Sequence, residues 1–177
     1  MNRIDKCGLS HVIITSLIVT IAIILFFKMP YLVVADLNGK TVLQFSLAVD
    51  KGFSLYYVHS VQKTPVWEYY SLDSGDRLAL NSTVYDSLGV GLPFLAGDGK
   101  LTEDGGKFIL TGINRRFREV NIRAVPLARQ ALIYRGRMYY YNDYFASGAL
   151  VNIKVRRLSA VDIISQSIRG RKGYFFE

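Results

Sequence analysis

Residues 53–72 read FSLYYVHSVQKTPVWEYYSL. Two runs rich in aromatic and β-branched residues, 53–58 and 66–72, flank a polar stretch, the pattern of two adjacent strands and their connection. If Lys63-Thr64 is a two-residue turn, Gln62 faces Pro65, Val61 faces Val66, Ser60 faces Trp67 and His59 faces Glu68. Cross-strand partners share a face at about 5 Å between Cβ atoms, which puts the His59 imidazole against the Glu68 carboxylate. Neither Lys63 nor Thr64 is a favoured hairpin residue and Pro65 lacks a donor, so a wider loop is the alternative. The pair reads as a brace that pins the loop or as part of a ligand site. The brace is favoured, because buried polar groups mostly satisfy one another.

Outward from this stretch the alternation continues. Runs at 31–35, 41–48, 77–80, 107–111, 120–126, 131–134, 138–141 and 150–156 read as further strands. Turns fall at Asn38-Gly39, Asp50-Lys51-Gly52, Asp73-Ser74-Gly75-Asp76, Asp104-Gly105-Gly106 and Arg135-Gly136-Arg137. The fold class is mainly β, an antiparallel β-sandwich or small β-barrel. One short C-terminal helix follows, with Ser159 as N-cap, Asp162 as its capping-box partner and Gly170 at the C′ position. Val161, Ile164 and Ile168 share one face of that helix. Packing on the sheet is the expected use of that face, with a membrane surface as the rival.

The N-terminal part differs in kind. LSHVIITSLIVTIAIILFF, residues 9–27, holds nineteen residues without a formal charge. As a helix it spans about 30 Å, the thickness of the hydrocarbon core. Arg3 and Lys6 precede it, which selects a cytoplasmic N-terminus. Its end, with Lys28 and Pro30 beyond, offers bulky residues instead of a small-residue cleavage site, so it reads as an uncleaved signal anchor. The chain divides into a cytoplasmic 1–8, a membrane segment 9–27 that meets the lipid bilayer, and an extracytoplasmic β-rich domain 28–177.

Composition excludes several classes. Half of the 177 residues are hydrophobic, against the composition of a disordered chain. The lone Cys7 excludes an internal disulfide, and two histidines, His11 and His59, leave little for a metal site, so neither metal nor cofactor is expected. Charge is uneven. Residues 29–106 hold five Lys/Arg and nine Asp/Glu, a net −4, whereas residues 107–177 hold fourteen and four, a net +10. The basic cluster Arg115, Arg116, Arg118 and Arg123 suits anionic headgroups, an acidic partner or plain solvation. No nucleic-acid recognition motif accompanies it, and none is expected on an exported domain.

Two segments carry the most distinctive residues: Tyr57-Val58-His59-Ser60-Val61-Gln62-Lys63-Thr64-Pro65-Val66-Trp67-Glu68, and Tyr85-Asp86-Ser87-Leu88-Gly89-Val90-Gly91-Leu92-Pro93. Together they resemble the domain of unknown function 1850 family of small exported bacterial proteins. Its pattern is similar to Y-x-H-S-V-x-K-T-P-V-x-E, then a tyrosine and a G-x-G-L-P element. The resemblance covers roughly residues 31–157. A later histidine common in the family is missing near Val125-Pro126-Leu127. The resemblance implies a neighbourhood more than a mechanism: such proteins accompany TAXI-class TRAP transporters, so a TRAP-type permease or its solute-binding protein is the implied partner. The interaction or ligand candidates are His59, Ser60, Lys63, Thr64, Pro65, Glu68, Tyr85, Gly89, Gly91 and Pro93.

Enzyme readings are weak. Ser60-x-x-Lys63 matches an acyl-transfer motif that needs a helix, and these flanks alternate as strands. His59 and Ser60, as strand neighbours, point to opposite faces. Gly89-x-Gly91 has no following helix to cradle phosphate. The expected function is therefore a non-enzymatic, membrane-anchored accessory protein of a transporter. A stand-alone ligand-binding or envelope-interaction module is the alternative, and a hydrolase using Ser60 and His59 the third. The apolar segment is expected to stay attached. A mature N-terminus beyond residue 20, or a cytoplasmic reporter fused after Glu177, would refute this topology.

Overall fold

A computed structural model describes residues 6–87 and 99–169. The helices are α1 (Lys6–Phe26) and α2 (Ala160–Arg169). Between them run β1 (Met29–Ala35), β2 (Thr41–Ser46), β3 (Gly52–Val58), β4 (Pro65–Asp73), β5 (Arg77–Tyr85) and β6 (Lys100–Asp104). They are followed by β7 (Lys107–Phe117), β8 (Glu119–Arg123), β9 (Ala131–Tyr134), β10 (Arg137–Tyr140) and β11 (Leu150–Leu158). Each run expected from the sequence is a strand. One strand, β6, was not expected: every residue of Lys100–Asp104 is exposed, so no apolar alternation marks it. It lies at the edge of its sheet, where charged residues discourage further pairing.

The strands form a four-stranded sheet, β2-β1-β11-β8, and a seven-stranded sheet, β10-β9-β3-β4-β5-β7-β6. Neighbours in the larger sheet pair antiparallel throughout, as do β1–β2 and β8–β11. One core joins the two sheets, which makes the domain a sandwich rather than a barrel. Leu32, Val34, Ile153 and Val155 from the smaller sheet share it with Phe53, Leu55, Leu80, Leu110 and Leu132 from the larger. Phe45 of β2 meets Tyr134 and Tyr139, with ring centroids 5.0 and 4.8 Å apart, and the Tyr134 hydroxyl donates to the Ser46 carbonyl. Aromatic pairs of this kind add to the area they bury.

Turn chemistry sets the hairpins. Arg135-Gly136, both at positive φ, reverse the chain between β9 and β10, as a primed two-residue turn requires. Where β5 meets its neighbours the register slips around Asn81, and β7 absorbs the slip at Gly112 (φ 72°). That bulge carries β7 on to Phe117, six residues past the end expected from its alternation.

The two helices form one compact unit and the strands another, each described here by itself. Within the first, Leu9–Phe26 of α1 is long and apolar enough to cross a membrane. All its described residues are exposed except Leu25, which is half-buried, and α2 runs against α1. The capping box on α2 forms as expected: the Ser159 amide and hydroxyl donate to Asp162 Oδ2 at 2.9 and 2.8 Å, and the Asp162 amide donates back to Ser159 Oγ at 3.2 Å. Gly170 lies outside the described residues, as does Arg3. On α2, Val161 is 38% exposed, Ile164 53% and Ile168 70%.

Truncating Leu132, wholly buried on β9, to Ala should cost about 2–5 kcal/mol in denaturant unfolding. Leu127→Ala, at a residue 89% exposed, should change stability by no more than about 0.5 kcal/mol. Equal losses at both positions would contradict this core.

Candidate functional site

The first distinctive segment folds as the β3–β4 hairpin, and its loop is wider than two residues. Val58 pairs with Pro65, so the reversal occupies residues 59–64. The His59 amide donates to the Thr64 carbonyl at 2.8 Å, and the Lys63 amide to the His59 carbonyl at 2.9 Å. Lys63 takes the left-handed conformation (φ 55°) that closes the turn. Val61 and Gln62 donate their amides to His59 Nδ1 at 3.3 and 3.2 Å. The His59 ring is therefore a buried acceptor that holds the loop from inside. Ser60, Val61, Gln62 and Lys63 are exposed at its tip.

The expected His59–Glu68 contact does not form. With a six-residue reversal the register moves, and Glu68 lies opposite Leu55 on β3 and Thr83 on β5. Its partners are tyrosines: Tyr57 donates to Oε1 at 3.2 Å and Tyr70 to Oε2 at 2.8 Å. Glu68 alternates with Val66 and Tyr70, which places its carboxylate on the core face of the sheet. Burial raises the Tyr57 and Tyr70 hydroxyls well above the usual tyrosine range, and the Glu68 charge raises them further. Tyr141, in the single 3₁₀ turn Tyr141–Asp143 after β10, is shifted the same way by burial first and then by Glu68. Two neutral hydroxyls thus hold one carboxylate. Sequence reasoning singled out Glu68 but missed Tyr70, Tyr141 and Thr83. The period-two spacing of Tyr70 from Glu68 was the available signal; Thr83 belongs to β5 and Tyr141 to the 3₁₀ turn after β10.

Tyr85 is fully buried, in register with both Val66 and Phe108, with the Phe108 ring stacked at 5.9 Å. Pro65 starts β4, and the Thr64 hydroxyl lies 3.4 Å from that of Ser87, so the two distinctive segments meet at one end of the sheet. Gly89, Gly91 and Pro93 lie outside the described residues. On the opposite face from Glu68, Trp67 packs on Tyr56, and Lys107 sits 4.4 Å over its ring while pairing with Asp86 at 3.2 Å.

The basic residues do not form one patch. Arg115 and Arg116 are strand neighbours and point to opposite faces of β7. Arg116 pairs with Asp73 at 2.6 Å, and its guanidinium helps hold the Asp73 carboxyl below the usual range, after the Ser74 amide. Arg123 lies on the other sheet and donates to the Gly148 carbonyl at 2.8 Å. Arg118, between β7 and β8, is exposed.

Residues 53–140 match the family model described as Domain of unknown function (DUF1850), so the chain carries that domain. The matched span, β3 to β10, contains the whole Glu68 cluster except Tyr141, which follows it directly. No curated protein and no solved structure matches the chain.

The raised tyrosines fix a pH dependence. Unfolded tyrosines ionise near pH 10. Groups held neutral above that value contribute stability that is complete below about pH 10 and lost as pH rises beyond it. Absorbance at 295 nm should show Tyr57, Tyr70 and Tyr141 still neutral in the native protein when exposed tyrosines have ionised, with stability falling over the same range. Ionisation of all twelve tyrosines near pH 10 without unfolding would refute the arrangement.

Proposed function

We propose that this chain, carrying the domain just described, is a membrane-anchored extracytoplasmic accessory protein of a TAXI-class TRAP-type secondary solute transporter, acting by contact and binding rather than turnover. The observation that carries the anchoring is the helical unit. An exposed apolar helix adjoins a second helix whose Ile164 and Ile168 are also exposed, the kind of surface a bilayer would cover. Arg3 and Lys6 before the apolar run 9–27 favour a cytoplasmic N-terminus, with the sandwich outside. The transporter rests on the resemblance of residues 57–68 and 85–93 alone.

The hairpin tip supports a contact role. Val61 is 67% exposed at the apex of a loop braced by His59, and Lys63 stands beside it. Rigid scaffolds commonly present partners with such loops. The same brace argues for a non-enzyme, because His59 Nδ1 already accepts two amides and Ser60 projects from the exposed tip. A stand-alone ligand-binding module is the second reading, favoured by the Glu68 cluster inside the sandwich.

Lys63→Ala combined with Val61→Asp should reduce solute uptake through the neighbouring transporter while leaving membrane retention and the thermal midpoint unchanged, since both side chains are exposed. Co-purification of the permease or its solute-binding protein should weaken in parallel. Normal uptake by the double variant at matched abundance would remove the loop from the transporter reading.

A further inference from the structure

The loops at one end of the sandwich gather basic residues that lie far apart in sequence. The Leu47 amide donates to the Pro30 carbonyl and the Tyr134 hydroxyl to the Ser46 carbonyl, so the start of β1, the β2–β3 loop and the β9–β10 turn share that end. The Leu72 amide donates to the Lys51 carbonyl, and Arg116 pairs with Asp73, which adds the β4–β5 turn and the end of β7. Lys51, Arg77, Arg116, Arg118, Arg135 and Arg137 are all exposed there. β11 finishes at the same end. Lys154 lies opposite Glu119, the first residue of β8 and two past the end of β7, so the exposed Arg156 and Arg157 stand beyond it.

Acids are fewer here. Among the described residues they are Asp50, Asp73, Asp76 and Glu119, which leaves this end net positive. The other end mixes its signs: the Lys40 amide donates to Asp36 in the β1–β2 turn, and Lys107 pairs with Asp86. Two guanidiniums at the basic end lie over rings, Arg135 at 5.4 Å from the Tyr134 centroid and Arg137 at 5.2 Å from that of Tyr139. Such contacts hold a cation in place without neutralising it. Beside them, in the β2–β3 loop, Val49 is 85% exposed. An apolar side chain projecting among arginines suits a headgroup layer, which takes both.

We propose that this end of the sandwich, with Lys51, Arg118, Arg135, Arg137, Arg156 and Arg157, docks onto the anionic phospholipid headgroups of the bilayer that holds α1. The inference rests on the anchored reading above and not on the transporter association. Only Phe27 and Lys28 separate α1 from β1, so the start of β1 stays within about 10 Å of the end of α1, the reach of three residues. Attraction to an anionic surface falls off over about 8 Å at physiological ionic strength, so the tether holds the basic end near the range where it acts. The far end, with the 59–64 loop, lies about 20 Å farther along the seven residues of β3 and is screened.

The test places the full chain in nanodiscs of phosphatidylcholine, with and without phosphatidylglycerol. Cys7→Ser leaves a single thiol in Val49→Cys or Ser60→Cys, which carries a nitrobenzoxadiazole label. In discs with phosphatidylglycerol the Val49→Cys label should shift to the blue and lose quenching by acrylamide. The Ser60→Cys label should be quenched equally in both discs. Salt at about 1 M, where exposed charges are screened over about 3 Å, should restore the quenching. Lys51→Glu with Arg118→Glu and Arg137→Glu should restore it too, at an unchanged thermal midpoint, because all three side chains are exposed. Lys40→Glu, at the other end, should change nothing. Equal quenching of the Val49→Cys label in both discs, the result expected of a surface that serves an acidic protein, would overturn the proposal and leave the anchor intact. Protection that survives the triple reversal, or that Ser60→Cys shares, would also overturn it. A chain that enters neither disc would overturn the anchored reading itself.

Discussion

The antiparallel pairing of β3 with β4, from Gly52–Ser71 to Val58–Pro65, is the constraint on which the other features rest. Both strands are internal to the larger sheet, so the neighbours β9 and β5 take their registers from them. The pairing sends Phe53, Leu55, Tyr57, Val66, Glu68 and Tyr70 to one face. It leaves six residues to reverse the chain. A one-residue slip would carry Glu68 to the other face and bring Trp67 into the core.

A carboxylate on a core face is costly unless hydrogen-bonded, and this one is held by hydroxyls instead of a counter-ion. Hydroxyl donors to a charged acceptor contribute roughly 1.5–3 kcal/mol each. The tyrosines in turn stay protonated because burial disfavours their ionised forms, and the Glu68 carboxylate beside them adds to that. The arrangement therefore keeps one negative charge in a fixed place. Thr83, directly across from Glu68, has a buried hydroxyl without a partner among the described residues.

The helical unit follows a different logic. α1 is rich in β-branched residues, poor helix formers in water, but it is long and apolar enough to cross a membrane, where a backbone has no other partner for its amides. α2 is amphipathic and capped at its N-terminus, and its Ile164 and Ile168 are exposed. Both helices thus expose the residue types that an aqueous surface would avoid.

Local pattern alone was enough for much of this protein. Uninterrupted apolar character over residues 9–27 specified α1, Ser159 and Asp162 specified the start of α2, and alternation with glycine turns marked each strand that buries a face. The exposed β6 escaped because a strand without a buried face has no alternation to read. The His59–Glu68 contact was misread because turn length sets register. The six-residue reversal depends on His59 accepting the Val61 and Gln62 amides, a three-dimensional contact that no propensity encodes. The basic cluster likewise looked continuous along the chain and was divided by strand alternation and by the assignment of β7 and β8 to different sheets. Tertiary structure alone assembled the Glu68 cluster. Thr83 lies far from Glu68 in sequence, and only the pairing of β4 with β5 puts it across from that carboxylate, as the pairing of β3 with β4 brings Tyr57 to it.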